Sequence, residues 1–221
     1  FIALTVVLGW LVMTSRKRWS ALVLVAILAL LFFNLAPAEW FNRLSTIEDA
    51  GEDASFMGRV IAWKVSSAMA LSNPIFGGGF HAVQVQGIWD QFKAAPGLLG
   101  FLNLPIPEFS AKAAHSIYFE VMGDMGFVGL FIFMAILLHA LRSRFVIKRQ
   151  LHSMGPQWLW ARDMADMLML GIVAYMAGGA AVSLAYFEVI YIVVMLMEML
   201  RLHVDRAVLA ARAVPSNGGG A

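Results

Sequence analysis

Ala114-His115-Ser116-Ile117-Tyr118-Phe119-Glu120 opens a run that stays largely apolar as far as Leu141. A helix needs roughly 20 apolar residues to cross a bilayer, and this run is long enough. An ionisable imidazole therefore stands where a water-exposed loop meets the membrane. Upstream lies a long mixed-charge loop; most of the remaining sequence is apolar.

The whole composition agrees with that reading. Hydrophobic residues make up 61% of the chain and charged residues 14%, against roughly 25% charged in a soluble domain. The expected fold class is an all-α polytopic membrane protein. Cysteine is absent, which excludes a disulfide framework and thiol chemistry. The net charge of +2 comes without a basic stripe interleaved with aromatics, so no nucleic-acid partner is expected. There is no internal repeat, no Walker loop and no Gly-x-Gly-x-x-Gly.

Residues 1–37 read as two transmembrane helices. The first, to Thr14, is short and opens at Phe1 inside an apolar run, as a severed span of a longer protein would. Arg16, Lys17, Arg18 and Trp19 form a basic turn, and residues 20–37 form the second span. Basic loops stay cytoplasmic, which puts residues 38–114 on the periplasmic side. Residues 115–204 are expected to hold three more spans, at 117–141, 164–184 and 189–200. Arg142, Arg144, Lys148, Arg149 and Arg162 crowd a cytoplasmic connection at 142–163. The outer turn falls at 185–188 or nearer Gly178-Gly179, and residues 205–221 form a partly disordered cytoplasmic tail. All three cation clusters then share one side.

Within the loop, residues 59–71 read as an amphipathic helix at the membrane interface, with Arg59 and Lys64 near the headgroups and Ile61, Val65, Ala68 and Met69 on its apolar side. Asn73-Pro74 stops it. Ile75 to His81 is a glycine-rich bend; its amides are candidates for a phosphate cradle, although a tight turn fits it better. Residues 82–113 read as irregular.

A histidine titrates near neutral pH and can accept a proton from a hydroxyl nucleophile, so His115 is the candidate base. Helix capping or simple solvation is its bland alternative. Arg59 can grip phosphate oxygens bidentately, with Arg43 and Lys64 joining it around a diphosphate. Trp63 is either an interfacial anchor or a sugar platform. A metal is not expected: of the available ligands His81, His115, Glu120 and Asp124, His115 and Glu120 stand about 140° apart on a helix and do not share a face. His115-Ser116 does not make a hydrolase pair, because adjacent side chains diverge and no acidic orienter is evident nearby. His139, His152 and His203 read as structural, and Asp124 and Glu198 as acids close enough to helix ends to reach water.

Several pieces occur in a telling order: Arg59-Val60-Ile61-Ala62-Trp63, Asn73-Pro74-Ile75-Phe76-Gly77-Gly78-Gly79-Phe80, Ala114-His115-Ser116-Ile117-Tyr118, and Glu120-Val121-Met122-Gly123-Asp124-Met125-Gly126-Phe127. Over residues 38–140 this set resembles the C-terminal half of the O-antigen ligase and polymerase superfamily, in particular the O-glycosylation ligases associated with exosortase systems. The resemblance implies a class C glycosyltransferase-like helical bundle in the bacterial inner membrane, with its site facing the periplasm. It implies transfer of a glycan from undecaprenyl diphosphate to an acceptor hydroxyl on lipid, protein or glycan, without metal or other cofactor. The family's arginine falls on Arg59, its loop histidine on His115, and an earlier arginine on Arg43. Lys64, Trp63, His81 and Tyr118 complete the expected substrate-binding set. The contrasting reading is a lipid-linked glycan flippase or transporter subunit. Transporters concentrate charge and broken helices at the bilayer midplane, whereas here the polar matter sits in one outer loop.

Overall fold

The computed structural model describes residues 2–14, 18–35, 54–102 and 110–213. Arg43 lies outside them. Every regular element among these residues is helical, with no strand. The chain divides into two compact units: Phe1–Phe133 with Met176–Ala185, and Met134–Tyr175 with Tyr186–Ala221.

The first unit begins with α1 (Ile2–Thr14) and α2 (Arg18–Leu35), packed on each other as a hairpin. Leu22, Val23, Leu24, Ile27, Leu28, Leu30 and Leu31 of α2 are all exposed. Leucines on every face of a helix are poorly suited to water and well suited to lipid.

Helix α3 (Ala54–Ser72) starts earlier than the sequence pattern suggests and is packed on more of its surface. From Val60 to Ala70 every residue is buried except Trp63, which is half-buried. Ile61, Ala62, Val65 and Met69 form the core with Ala82, Val83, Trp89 and Ala114. Ser66 and Ser67 are internal, and Ser67 Oγ donates to the Lys64 carbonyl at 2.7 Å and accepts the Leu98 amide at 2.9 Å. That hydroxyl is satisfied twice, so its burial carries little penalty. The stretch expected at the membrane interface is thus packed within protein along most of its length.

Asn73 and Pro74 end α3 as expected, Asn73 Oδ1 accepting the Phe76 amide at 3.3 Å in an Asx-type turn. Residues 82–113 are less irregular than expected. A 3-10 turn at Ala82–Gln84 leads into α4 (Gln86–Phe92), and another lies at Gly100–Leu102.

Helix α5 (Ile117–Gln150) runs on past Leu141. Among the described residues it is the one helix long and apolar enough to cross a membrane, with Leu22–Leu31 a shorter apolar stretch. Helices α6 (Leu159–Gly179) and α7 (Glu188–Ala213) overlap the stretches 164–184 and 189–200. Arg162, Asp163 and Asp166 charge the start of α6, and Glu198, Arg201 and Asp205 interrupt α7. The turn between them covers residues 180–187.

The regularity of α5 is broken at Gly126, at φ 68° and ψ −169°. In an unbroken helix the amides of Phe127 and Val128 would bond the carbonyls of Gly123 and Asp124. Here Phe127 donates to Pro74 O at 2.8 Å, while Gly78 and Gly79 of the bend donate to Gly123 O at 2.8 Å and Asp124 O at 3.0 Å. The bend therefore supplies what the break removes. Only glycine fits this exchange: a Cβ on Gly126 would lie 2.5 Å from Pro74 O, and one on Gly77 2.6 Å from Gly123 O. Asp124, expected to reach water, is buried; its carboxylate accepts the amides of His81 at 2.8 Å and Ala82 at 3.2 Å.

In the second unit acids answer the basic connection. Asp166 bonds Arg144 Nε at 2.7 Å and Lys148 Nζ at 2.9 Å, and Gln150 reaches Asp205. Glu198 accepts Ser143 Oγ at 2.5 Å and stands 3.4 Å from His139 Nε2. His203 packs against Trp158 and Trp160.

Candidate functional site

The approach to α5 is held by its neighbours. Trp63 on α3 donates its indole N–H to the Ala114 carbonyl at 2.6 Å, and Gln86 Oε1 accepts the Ala111 amide at 2.8 Å. One indole face lies against Phe119, ring centroids 5.1 Å apart and nearly parallel. With its N–H and that face occupied, Trp63 serves first as a strut that ties the chain before His115 to the helix carrying Arg59.

His115 itself is left-handed, at φ 48°. For a non-glycine residue this conformation costs about 1 kcal/mol or more, so surrounding contacts must hold it. Ser183 Oγ accepts its amide at 2.9 Å. Two further bonds fix the same turn to the last turn of α6 and the segment after it: Tyr118 donates its hydroxyl to Met176 O at 2.8 Å, and Glu120 Oε2 accepts the Ala185 amide at 3.2 Å. Tyr118's proton is thus already engaged within the protein.

The His115 ring is exposed at its edge yet partly shielded. Its pKa is lowered from the ordinary 6.5, first by desolvation, then by the positive charges of Arg59 and Lys112. At neutral pH the imidazole is therefore held unprotonated, the state a general base requires. Arg59, on α3 one turn before Trp63, is half-buried.

Lys112 is the residue that sequence reading missed. It reaches across Gly58, next to Arg59, with Nζ 3.1 Å from where a Gly58 Cβ would stand. Its position three residues before His115 was the available signal, but nothing in the sequence shows residues 111–115 folded back along α3. Ser183 carried no signal at all, being 68 residues away in sequence.

Two expected substrate residues stand elsewhere. Lys64 is only 5% exposed and lies about 140° around α3 from Arg59, poorly placed to meet an external anion. His81 is also left-handed, at φ 53°; its Nδ1 is 3.1 Å from Gln84 Nε2 and 3.9 Å from buried Glu120 Oε1. It belongs to the Glu120–Asp124 cluster around the glycine bend. The bend's Gly78 and Gly79 amides are engaged by α5, so the bend is a structural turn and not a phosphate cradle. Among the described residues no three acidic or histidine side chains converge as a metal-ligand set.

These features define an all-helical protein with a span-length helix whose entrance gathers a neutral imidazole and two cations. The chain belongs to the O-antigen ligase family, which matches residues 1–134, from α1 through the break in α5. This membership supports a membrane-bound, glycan-transferring, ligase-like function. No curated protein and no solved structure matches the chain.

Proposed function

We propose that this chain transfers a glycan from undecaprenyl diphosphate to an acceptor hydroxyl on the periplasmic face of the bacterial inner membrane, as the exosortase-associated O-glycosylation ligases would. The acceptor is a lipid, a protein side chain or another glycan. The observation that carries the reading is His115, held neutral beside Arg59 and Lys112. In this mechanism the imidazole takes the proton of the acceptor hydroxyl as its oxygen attacks the anomeric carbon. The bond from that carbon to the diphosphate breaks, its electron pair leaves with the phosphate oxygen, and Arg59 stabilises the growing charge. A single displacement inverts the anomeric centre. Arg43, in the family's first arginine position, would assist.

The proposal includes a polytopic arrangement in which α1, α2, α6 and α7 accompany α5 in the bilayer. Support comes from the exposed leucines of α2 and from the acid-paired basic clusters that fall on one side of the sequence topology. The test is His115→Ala in the full-length protein, expressed in cells lacking the wild-type gene. The expected result is loss of the glycoconjugate with accumulation of lipid-linked precursor at normal protein level. Wild-type transfer by that variant would sink the base assignment.

A further inference from the structure

A diphosphate leaving group develops charge on two phosphorus centres, and one guanidinium meets only one of them well. A further cation next to Arg59, besides Arg43, would share that charge. Lys112 stands there for a reason built into α3. Residue 58 has no side chain, and the lysine crosses that gap with Nζ 3.1 Å and Cδ 3.4 Å from the absent Cβ. Any substituent at 58 would press the ammonium aside by a few tenths of an ångström or more. The Trp63–Ala114 and Gln86–Ala111 bonds fix both ends of the short backbone segment that bears Lys112, so the lysine starts from an anchored position beside α3.

We infer that Lys112, seated over Gly58, is a further cation of the diphosphate subsite, paired with Arg59 and reading a diphosphate in preference to a monophosphate. The inference rests on the transferase reading above and deepens it. The carrier's two phosphates would divide between the guanidinium fork and the point charge of the ammonium. The acceptor hydroxyl then stands on the His115 side.

The test uses the purified full-length protein without acceptor, with undecaprenyl diphosphate and undecaprenyl monophosphate as probes. Lys112→Gln is expected to weaken diphosphate binding by about tenfold and monophosphate binding by less than about threefold. Lys112→Arg should retain most of the preference. Gly58→Ala should weaken diphosphate binding in the wild-type background and add nothing in Lys112→Gln, because it acts through that lysine. Thermal unfolding of each variant separates a local effect from a folding defect. Equal weakening of both probes, or unchanged diphosphate binding with only a shifted pH profile, would overturn the inference. A wild-type protein indifferent to diphosphate would overturn the transferase reading itself, leaving the two failures distinguishable.

Discussion

At the scale of single residues, His115 combines a strained backbone with a charge environment that keeps its ring neutral. The folded pKa lies below the ordinary 6.5, so the base is available above that lowered value and is lost as pH falls through it. The midpoint of the rise of kcat/KM with pH should therefore lie below 6.5, and Lys112→Gln should move the acid limb upward by removing one of the cations responsible. Stability carries the same sign. Between the lowered pKa and 6.5 the unfolded chain binds the proton more readily, so this group's contribution declines as pH falls through that window. Ser183 is a positioning residue for the same turn. Ser183→Ala should lower turnover by about three- to tenfold, with donor binding unchanged and Ser183→Thr restoring activity; the loss corresponds to a backbone amide deprived of its acceptor. Steady-state kinetics on the full-length protein separates these effects.

At the scale of elements, the sequence was most legible where periodicity and punctuation agree. The stop at Asn73-Pro74 and the apolar run from Ile117 were readable because proline chemistry and hydrophobic length leave few alternatives. The extension of α5 to Gln150 was not, since Arg142 to Arg149 are good helix formers that read as a loop through their charge. The burial of α3 was hidden for a related reason: Ser66, Ser67 and Lys64 look solvated until Leu98 and the core residues are folded over them. The break at Gly126 leaves no trace in a hydrophobic pattern, because it depends on amides from a bend some 50 residues earlier (Gly78 and Gly79 against Gly123 and Asp124). Gly126→Ala meets both the Pro74 carbonyl and a backbone at φ 68°. It should destabilise the protein by about 2 kcal/mol or more, seen as a lowered midpoint in thermal unfolding of the detergent-solubilised protein, whereas Gly87→Ala, in open space, should change little.

At the scale of the whole molecule, the candidate site was legible in its residue types and only partly in its membership. His115 and Arg59 were named from the sequence, and the charges of Arg59 and Lys112 both bear on the His115 ring. Lys64 shares the amphipathic stretch with Arg59, but sequence does not record which way a helix face turns, and the left-handed turn at His81 is set by contacts from α5. The absence of cysteine gives a clean test of the proposed orientation. Single cysteines at Gln91, on exposed α4, and at Gln157, beside the basic connection, are expected to label differently with a membrane-impermeant maleimide. The first should react from the periplasmic side, the second only after the inner membrane is opened. Equal labelling of both would refute the orientation.

The exchange of amides between the glycine bend and the broken helix has a further consequence for motion. Gly78, Gly79 and Phe127 each depend on a carbonyl contributed by the other segment, and release of Gly78 or Gly79 would strand the carbonyl of buried Gly123 or Asp124. Together with the Asp124 bonds to His81 and Ala82, they make bend and helix entrance a single mechanical joint. Hydrogen exchange at these three amides should therefore proceed in concert, and the top of α5 should tilt only by carrying residues 73–82 with it.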